Sequence, residues 1–348
     1  MNPVESIIRQ EILSTGSISF ARFMEIALYC PKIGYYEGSS APVGRRGDYY
    51  TSVSVGPLFG ELLACQFADW LCHSGSDALS IIEAGAHDGQ LALDILTALG
   101  RDRSDLTLQY GIVEPSAARR EWQRAKLDVF AGQVAWFASL DDLPAVSGIL
   151  FSNELLDAMP VHVLRWRGGQ WLEAKVSIVD GQLAWREVVP DHDLGQPAVP
   201  AELAPFLPDG FQIEVSPTAL RWWQTAARKL RVGKLVTFDY GGEIRDLLSP
   251  HRMAGTLRAY RHHQVVSDVL ANLGAQDLTA HVNFAEIKRA GEGAGLTTEC
   301  FTSQEEFLAR IVPRIPIRDW NSERVRQFQT LTHPDHLGRA FKVLVQSR

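Results

Sequence analysis

Apolar positions near the start of the chain recur with a helical period. Phe20, Phe23, Met24, Ala27 and Leu28 share one helix face, Ser19 stands where an N-cap belongs, and Pro31 stops the run. A second helix opens at Pro57, in PLFGELLACQFADWL, with Leu58, Leu62, Phe67 and Trp70 on its inner face. Between them runs GYYEGSSAPVGRRGDYYTS, a loop too long and too aromatic to be a passive connector.

From about residue 79 the pattern changes to short apolar runs alternating with amphipathic segments. ALSIIEAG, LTLQYGIVEP, VAWFASL, GILFSNELL and the later KLVTFDYG predict strands, and QLALDILTALG and SAARREWQRAKL predict helices. Continuous apolar strands in β-α-β-α order predict a parallel sheet covered on both faces. FKVLVQS, at the extreme C-terminus, predicts a last strand returning to that sheet.

Two stretches interrupt the alternation. VHVLRWRGGQWLEAKVSIVDGQLAWREVV reads with period two and carries the turn pairs Gly168-Gly169 and Asp180-Gly181, which predicts antiparallel hairpins. Residues from about 242 to 335 show little strand character. The expected organisation is a helical N-terminal segment with a loop (1–75), the sheet core (76–160, 216–241 and 336–348), inserted hairpins (161–215) and a substrate-side lobe (242–335).

Composition narrows the function classes. The chain has 348 residues, 46% of them hydrophobic, as in an ordinary folded protein. Its 34 basic and 41 acidic side chains leave a formal charge of −7, which offers no general attraction to nucleic acid or anionic membrane. No apolar run approaches the ~20 residues needed to span a bilayer. The four cysteines are scattered without a CxxC pair, and the ten histidines form no HExxH motif, so neither a disulfide framework nor a metal site is expected. MNPVESIIRQEIL resembles neither a signal peptide nor a transit segment, and the expectation is a cytoplasmic protein.

Three constellations could carry chemistry. In Ile82-Glu83-Ala84-Gly85-Ala86-His87-Asp88-Gly89 a strand runs into a helix through a turn whose glycines let a ligand approach the peptide groups. At the end of the next strand Glu114, in Val113-Glu114-Pro115-Ser116, stands where a carboxylate accepts the ribose hydroxyls of an adenosine. Together they point to a nucleoside cofactor. The dinucleotide pattern GxGxxG is absent, which disfavours a nicotinamide oxidoreductase. The third constellation, Phe151-Ser152-Asn153-Glu154-Leu155-Leu156-Asp157-Ala158-Met159-Pro160-Val161, ends another strand, at the sheet edge where ligands bind in open α/β folds. Its carboxylates either cap the following helix or orient a cationic acceptor, and if that acceptor is a guanidinium, paired carboxylates fit its planar fork of donors.

These motifs resemble those of the MidA-type family of class I methyltransferases, whose mitochondrial members assist respiratory complex I assembly as protein-arginine methyltransferases. The resemblance runs through Phe20–Met24, Gly34-Tyr35-Tyr36, Gly47–Ser52, Phe59–Leu62, the Glu83–Gly89 turn, Asn153–Val161, Asp239-Tyr240-Gly241, Gly255–Arg258, Asp277–Phe284 and Phe341–Leu344. It implies a Rossmann-like α/β methyltransferase sheet, a helical N-terminal segment and an inserted substrate-side lobe, with S-adenosylmethionine as cofactor. It implies cofactor contacts by Glu83, Gly85, Gly89 and Glu114, and a covering loop containing Gly47, Asp48, Thr51 and Ser52. Asn153, Glu154 and Asp157 would form the floor of the acceptor site, with Asp239, Tyr240 and His281 as walls. A protein acceptor is implied, and the two lobes permit a homodimer.

This chain departs from the family pattern in two places. His87 replaces the middle glycine of the turn, where a residue with a Cβ takes positive φ only at a cost. The second motif reads Glu-Pro-Ser in place of Glu-x-Ser-Pro. The departure at His87 keeps a second reading open, a binding or assembly protein with a degenerate cofactor pocket that grips a client.

Overall fold

The computed structural model describes residues 2–38, 51–73, 79–190, 194, 199–200, 202–261, 264–315 and 320–348. In chain order its strands are β1 (Leu79–Ala84), β2 (Leu108–Val113), β3 (Val134–Phe137), β4 (Val146–Asn153), β5 (His162–Arg167), β6 (Gln170–Val179), β7 (Gln182–Val188) and β8 (Gln212–Val215). They continue with β9 (Leu230–Gly242), β10 (Arg258–Arg261), β11 (Gln264–Val266), β12 (Asp277–Thr279), β13 (Val282–Asn283), β14 (Thr297–Ser303) and β15 (Phe341–Ser347).

The chain forms two compact units, a sheet unit of residues 50–155, 222–240 and 288–348 and a hairpin unit of residues 1–49, 156–221 and 241–287. In the sheet unit the strand order is β14-β15-β9-β4-β1-β2-β3. The neighbours from β9 to β3 are parallel, and β15 runs antiparallel to both β9 and β14. Seven of the eight residues of β4 are buried, the pattern of a strand covered on both faces. One cover is the helix Leu58–Cys72, which buries Phe59 and Phe67 completely. It packs closely on the helix Gln90–Asp102, because a Cβ at Gly60 would come 2.5 Å from the Asp94 Cβ. Each phenylalanine taken from water contributes about 2–3 kcal/mol, so this layer is a major part of the unit's stability.

The hairpin unit holds the antiparallel sheet β7-β6-β5-β8 and the small sheet β11-β10-β12. Both expected turn pairs take left-handed backbone, with φ of +53° and +85° at Gly168 and Gly169 and +48° and +78° at Asp180 and Gly181. The helices Pro3–Thr15 and Phe20–Tyr29 belong to this unit, the second capped by the Ser19 hydroxyl.

Three expectations about organisation differ from the structure. The N-terminal segment is divided, residues 1–49 going to the hairpin unit and the helix Leu58–Cys72 to the sheet unit. Residues 288–335, expected in the lobe, belong to the sheet unit, because Phe307, Leu308, Ile311 and Leu331 join the core cluster of Leu58, Phe59 and Leu62. The stretch 242–335 also holds more strand than its sequence suggests, since β10 to β14 are short or mixed with polar residues.

Candidate active site

β1 leads into the turn Gly85–Gly89 and then into the helix Gln90–Asp102. Gly85 and Gly89 have φ of +74° and +84°, and His87 between them has φ of +47°. The histidine thus adopts the backbone that a glycine would adopt freely. Gln123 helps to hold it there, its Nε2 donating to the His87 carbonyl at 2.9 Å. A Cβ at Gly85 would come 2.9 Å from Leu155 Cδ1, so only glycine lets Leu155 pack this closely on the turn.

Around the turn the carboxylates of Glu83 and Glu114 are buried, and Asp88 is half-exposed. Glu83 is 2% exposed and accepts a 2.6 Å hydrogen bond from the Tyr110 hydroxyl. Burial pushes its carboxyl up to about 8, with Tyr110 pulling the other way. The Glu114 carboxylate, at the end of β2, accepts from the Ser116 N–H at 2.9 Å and from Gln123 Nε2 at 3.4 Å. Burial works to raise the Asp88 carboxyl, yet hydrogen bonds from His87 and Lys126 hold it well below the usual carboxylate range.

The second cluster lies at the end of β4 in the same unit. Glu154 has φ of +51°, a left-handed conformation costing about 1–2 kcal/mol for a residue with a Cβ. Its N–H donates to the Phe238 carbonyl at 2.9 Å. Its Oε1 accepts from Asn153 Nδ2 at 3.0 Å and from the Ser52 N–H at 3.4 Å. Ser52 is wholly buried and donates from Oγ to Gln304 Oε1 at 3.1 Å, and Gln304 Nε2 donates to the Leu331 carbonyl. Asp239 is also wholly buried, its oxygens accepting from the N–H groups of Leu155 and Tyr240. It therefore fastens the turn that carries Glu154.

The structure brings together within the sheet unit Glu83, Gly85, Gly89, Glu114, Thr51, Ser52, Asn153, Glu154, Asp239 and Tyr240. Asp157 and His281 belong to the hairpin unit. There the Asp157 carbonyl accepts from the Ala280 N–H, and its carboxyl lies within electrostatic reach of Tyr260. Gly47 and Asp48 lie outside the described residues. Sequence reasoning passed over Gln123 and Gln304. Both are fully buried glutamines on helices whose other polar residues are mostly solvated, a signal that only burial reveals.

This donor set fits S-adenosylmethionine. Left-handed glycines at 85 and 89 shape the turn, and the Glu114 carboxylate at the end of β2 can accept from ribose hydroxyls.

Comparison with known proteins agrees. The chain resembles a crystallised protein of Burkholderia thailandensis with S-adenosyl-homocysteine bound, at 33% identity and a TM-score of 0.85 over 99% of this chain and 92% of that one. A second Burkholderia thailandensis structure gives 32% identity and a TM-score of 0.83, covering 99% and 91%. The mitochondrial protein arginine methyltransferase NDUFAF7 homolog of Drosophila melanogaster is 28% identical, covering 97% of this chain and 83% of its own length. Human mitochondrial NDUFAF7, also named a protein arginine methyltransferase, is 29% identical over 84% of this chain and 70% of its own length. These mitochondrial names lend no support to the cytoplasmic expectation. The family model of S-adenosyl-L-methionine-dependent methyltransferases, Methyltransf_28, matches residues 62–302. The chain belongs to this MidA-like family, and its cofactor is S-adenosylmethionine.

Proposed function

We propose that this methyltransferase acts on a protein, and that its acceptor is an arginine guanidinium. The observation that carries the reading is the Glu154 carboxylate, presented by left-handed backbone at the carboxyl end of β4 and held by Ser52 and Asn153. The names of the relatives point the same way.

When bound, S-adenosylmethionine supplies a methyl group already activated by its sulfonium. The protein's task is then alignment and charge control. Glu83, Glu114 and the Gly85–Gly89 turn bind and orient the cofactor. Glu154 would accept N–H bonds from the guanidinium, turn one nitrogen toward the methyl carbon, and take up on its carboxylate the proton that this nitrogen loses. Asn153 and Ser52 hold Glu154 in that orientation. His87 favours an active enzyme over a degenerate binding protein, because it keeps the backbone that the turn requires.

The test has two stages. Calorimetry with S-adenosylmethionine and S-adenosyl-homocysteine should give saturable binding of both. Labelled methyl transfer into a proteome from cells lacking the enzyme, read by mass spectrometry, should then place label on arginine. Label confined to lysine, to carboxylates or to small molecules would overturn the acceptor.

A further inference from the structure

Gln123 is the one buried residue of the helix Ala117–Lys126, and it is completely shielded from solvent. An amide in that position is costly unless its polar atoms are matched. The two ends of this amide reach three different elements of the sheet unit. Its Oε1 accepts from Trp136 Nε1, on β3, at 3.1 Å. Its Nε2 donates to the His87 carbonyl at 2.9 Å and to Glu114 Oε2 at 3.4 Å.

These partners leave the amide one orientation. An indole N–H only donates and a carbonyl only accepts, so Oε1 must face Trp136 and Nε2 must face His87. Fixed in this way, Nε2 has its second proton left for Glu114. The Glu114 carboxylate, 4% exposed, then has a donor on each oxygen, the Ser116 N–H on Oε1 at 2.9 Å and Gln123 on Oε2. A donor on each oxygen fixes the plane of the carboxylate.

We propose that Gln123 is a positioning residue of the cofactor site, aiming the Glu114 carboxylate at the ribose hydroxyls and tying the Gly85–Gly89 turn to it, while Trp136 fixes Gln123. Both residues lie outside the motifs that carry the family resemblance. The inference rests on Glu114 as the ribose acceptor, and it is independent of which group receives the methyl. A glutamine that merely filled space would serve every part of the cofactor alike. One that aims Glu114 must act through the ribose hydroxyls.

The experiment is isothermal titration calorimetry of the full chain with S-adenosyl-homocysteine and with its 2′,3′-dideoxy analogue, which lacks both ring hydroxyls. The wild type should prefer the hydroxylated ligand by about 100-fold, as a site built to bond a hydroxyl does. Gln123→Met keeps the volume and removes both bonding ends. It should weaken S-adenosyl-homocysteine about thirtyfold and the dideoxy analogue about threefold, cutting the preference about tenfold. Trp136→Phe frees the amide to turn and should cut the preference about threefold. Gln123→Glu brings a second carboxylate against Glu114, so at pH 8 its preference should be as low as that of Gln123→Met. At pH 5.5 a shared proton restores the donor, and the preference should return to within about threefold of the wild type at that pH. A preference within about twofold of wild type in Gln123→Met would overturn the proposal, because Gln123 would then pack against the turn without aiming Glu114. Should that variant fail to fold, an unchanged preference in Trp136→Phe, or a pH-independent one in Gln123→Glu, decides against the proposal equally. Equal binding of the two ligands by the wild type would remove Glu114 as the ribose acceptor, and the inference with it.

Discussion

Two turns at the carboxyl ends of neighbouring strands share a rare feature and use it differently. After β1, His87 takes φ of +47°; after β4, Glu154 takes φ of +51°. In the first turn the flanking glycines already supply left-handed backbone, and the histidine's side chain adds little that the turn needs. In the second, the conformation aims a carboxylate whose Oε1 is gripped by two N–H donors. Backbone strain persists where the surroundings over-determine it. At Glu154 the surroundings include Ser52, Asn153, Asp239 and Gln304; at His87 the direct hold on the backbone is the hydrogen bond from Gln123. Equal strain therefore carries unequal functional weight.

The largest expected effect comes from breaking the comparison at Glu154. Glu154→Gln keeps the backbone and loses the charge, so methyl transfer should fall by about 10³-fold, the scale of removing one preorganised electrostatic contact. Affinity for S-adenosyl-homocysteine should change less than threefold. Glu154→Gly relieves the strain and should raise stability by about 1 kcal/mol while losing the same activity. Turnover within fivefold of wild type in Glu154→Gln would remove the residue from the mechanism.

Glu83, at the end of the strand feeding the first turn, provides the next effect. Its carboxyl sits at about 8, above the ordinary 4.5, because burial favours the protonated form. A group raised in the folded state contributes stability that is full below its unfolded value and lost as pH climbs through the folded value. The stability of the cofactor-free protein should thus decline between pH 5 and pH 8, Glu83 contributing a slope of at most about 1.4 kcal/mol per pH unit. Glu83→Gln should flatten that slope in urea titrations at half-unit steps. Parallel curves for the two proteins would show that Glu83 ionises without penalty.

How much of this was legible in the sequence follows from the range of each interaction. β1, β2 and β4 declare themselves because a parallel strand buried on both faces reads as an unbroken apolar run between turn residues. The Glu83–Gly89 and Asn153–Val161 strings were legible because each is contiguous. The support of Glu154 was not, since Ser52, Glu154 and Gln304 are far apart in sequence and meet only when β4 and the helix Gln304–Ile311 are in place. The assignment of 288–335 failed for a similar reason. Phe307, Leu308 and Ile311 make too short an apolar face to say which core they join.

Gln304 sharpens the comparison at lower amplitude. Gln304→Leu removes the acceptor for the Ser52 hydroxyl and so loosens the grip on Glu154. We expect kcat to fall about tenfold, the equivalent of one hydrogen bond, with the KM for S-adenosylmethionine unchanged. A rise in KM with kcat intact would instead assign Gln304 to cofactor binding.

The smallest effect, at His87, decides whether the two turns differ as argued. His87→Gly removes a Cβ from left-handed backbone, which should stabilise the protein by about 1 kcal/mol before the added freedom of glycine in the unfolded chain offsets part of it. The net change in urea midpoint should be small and positive. Methyl transfer should stay within threefold of wild type, because the turn keeps its shape and Glu154 keeps its anchors. A fall of tenfold or more would mean that the imidazole, whose Nε2 is buried without a protein partner, contacts the cofactor. Strain at both turns would then serve to aim a side chain. Retained activity leaves His87 as a glycine substitute that the fold tolerates, and leaves aimed chemistry to Glu154.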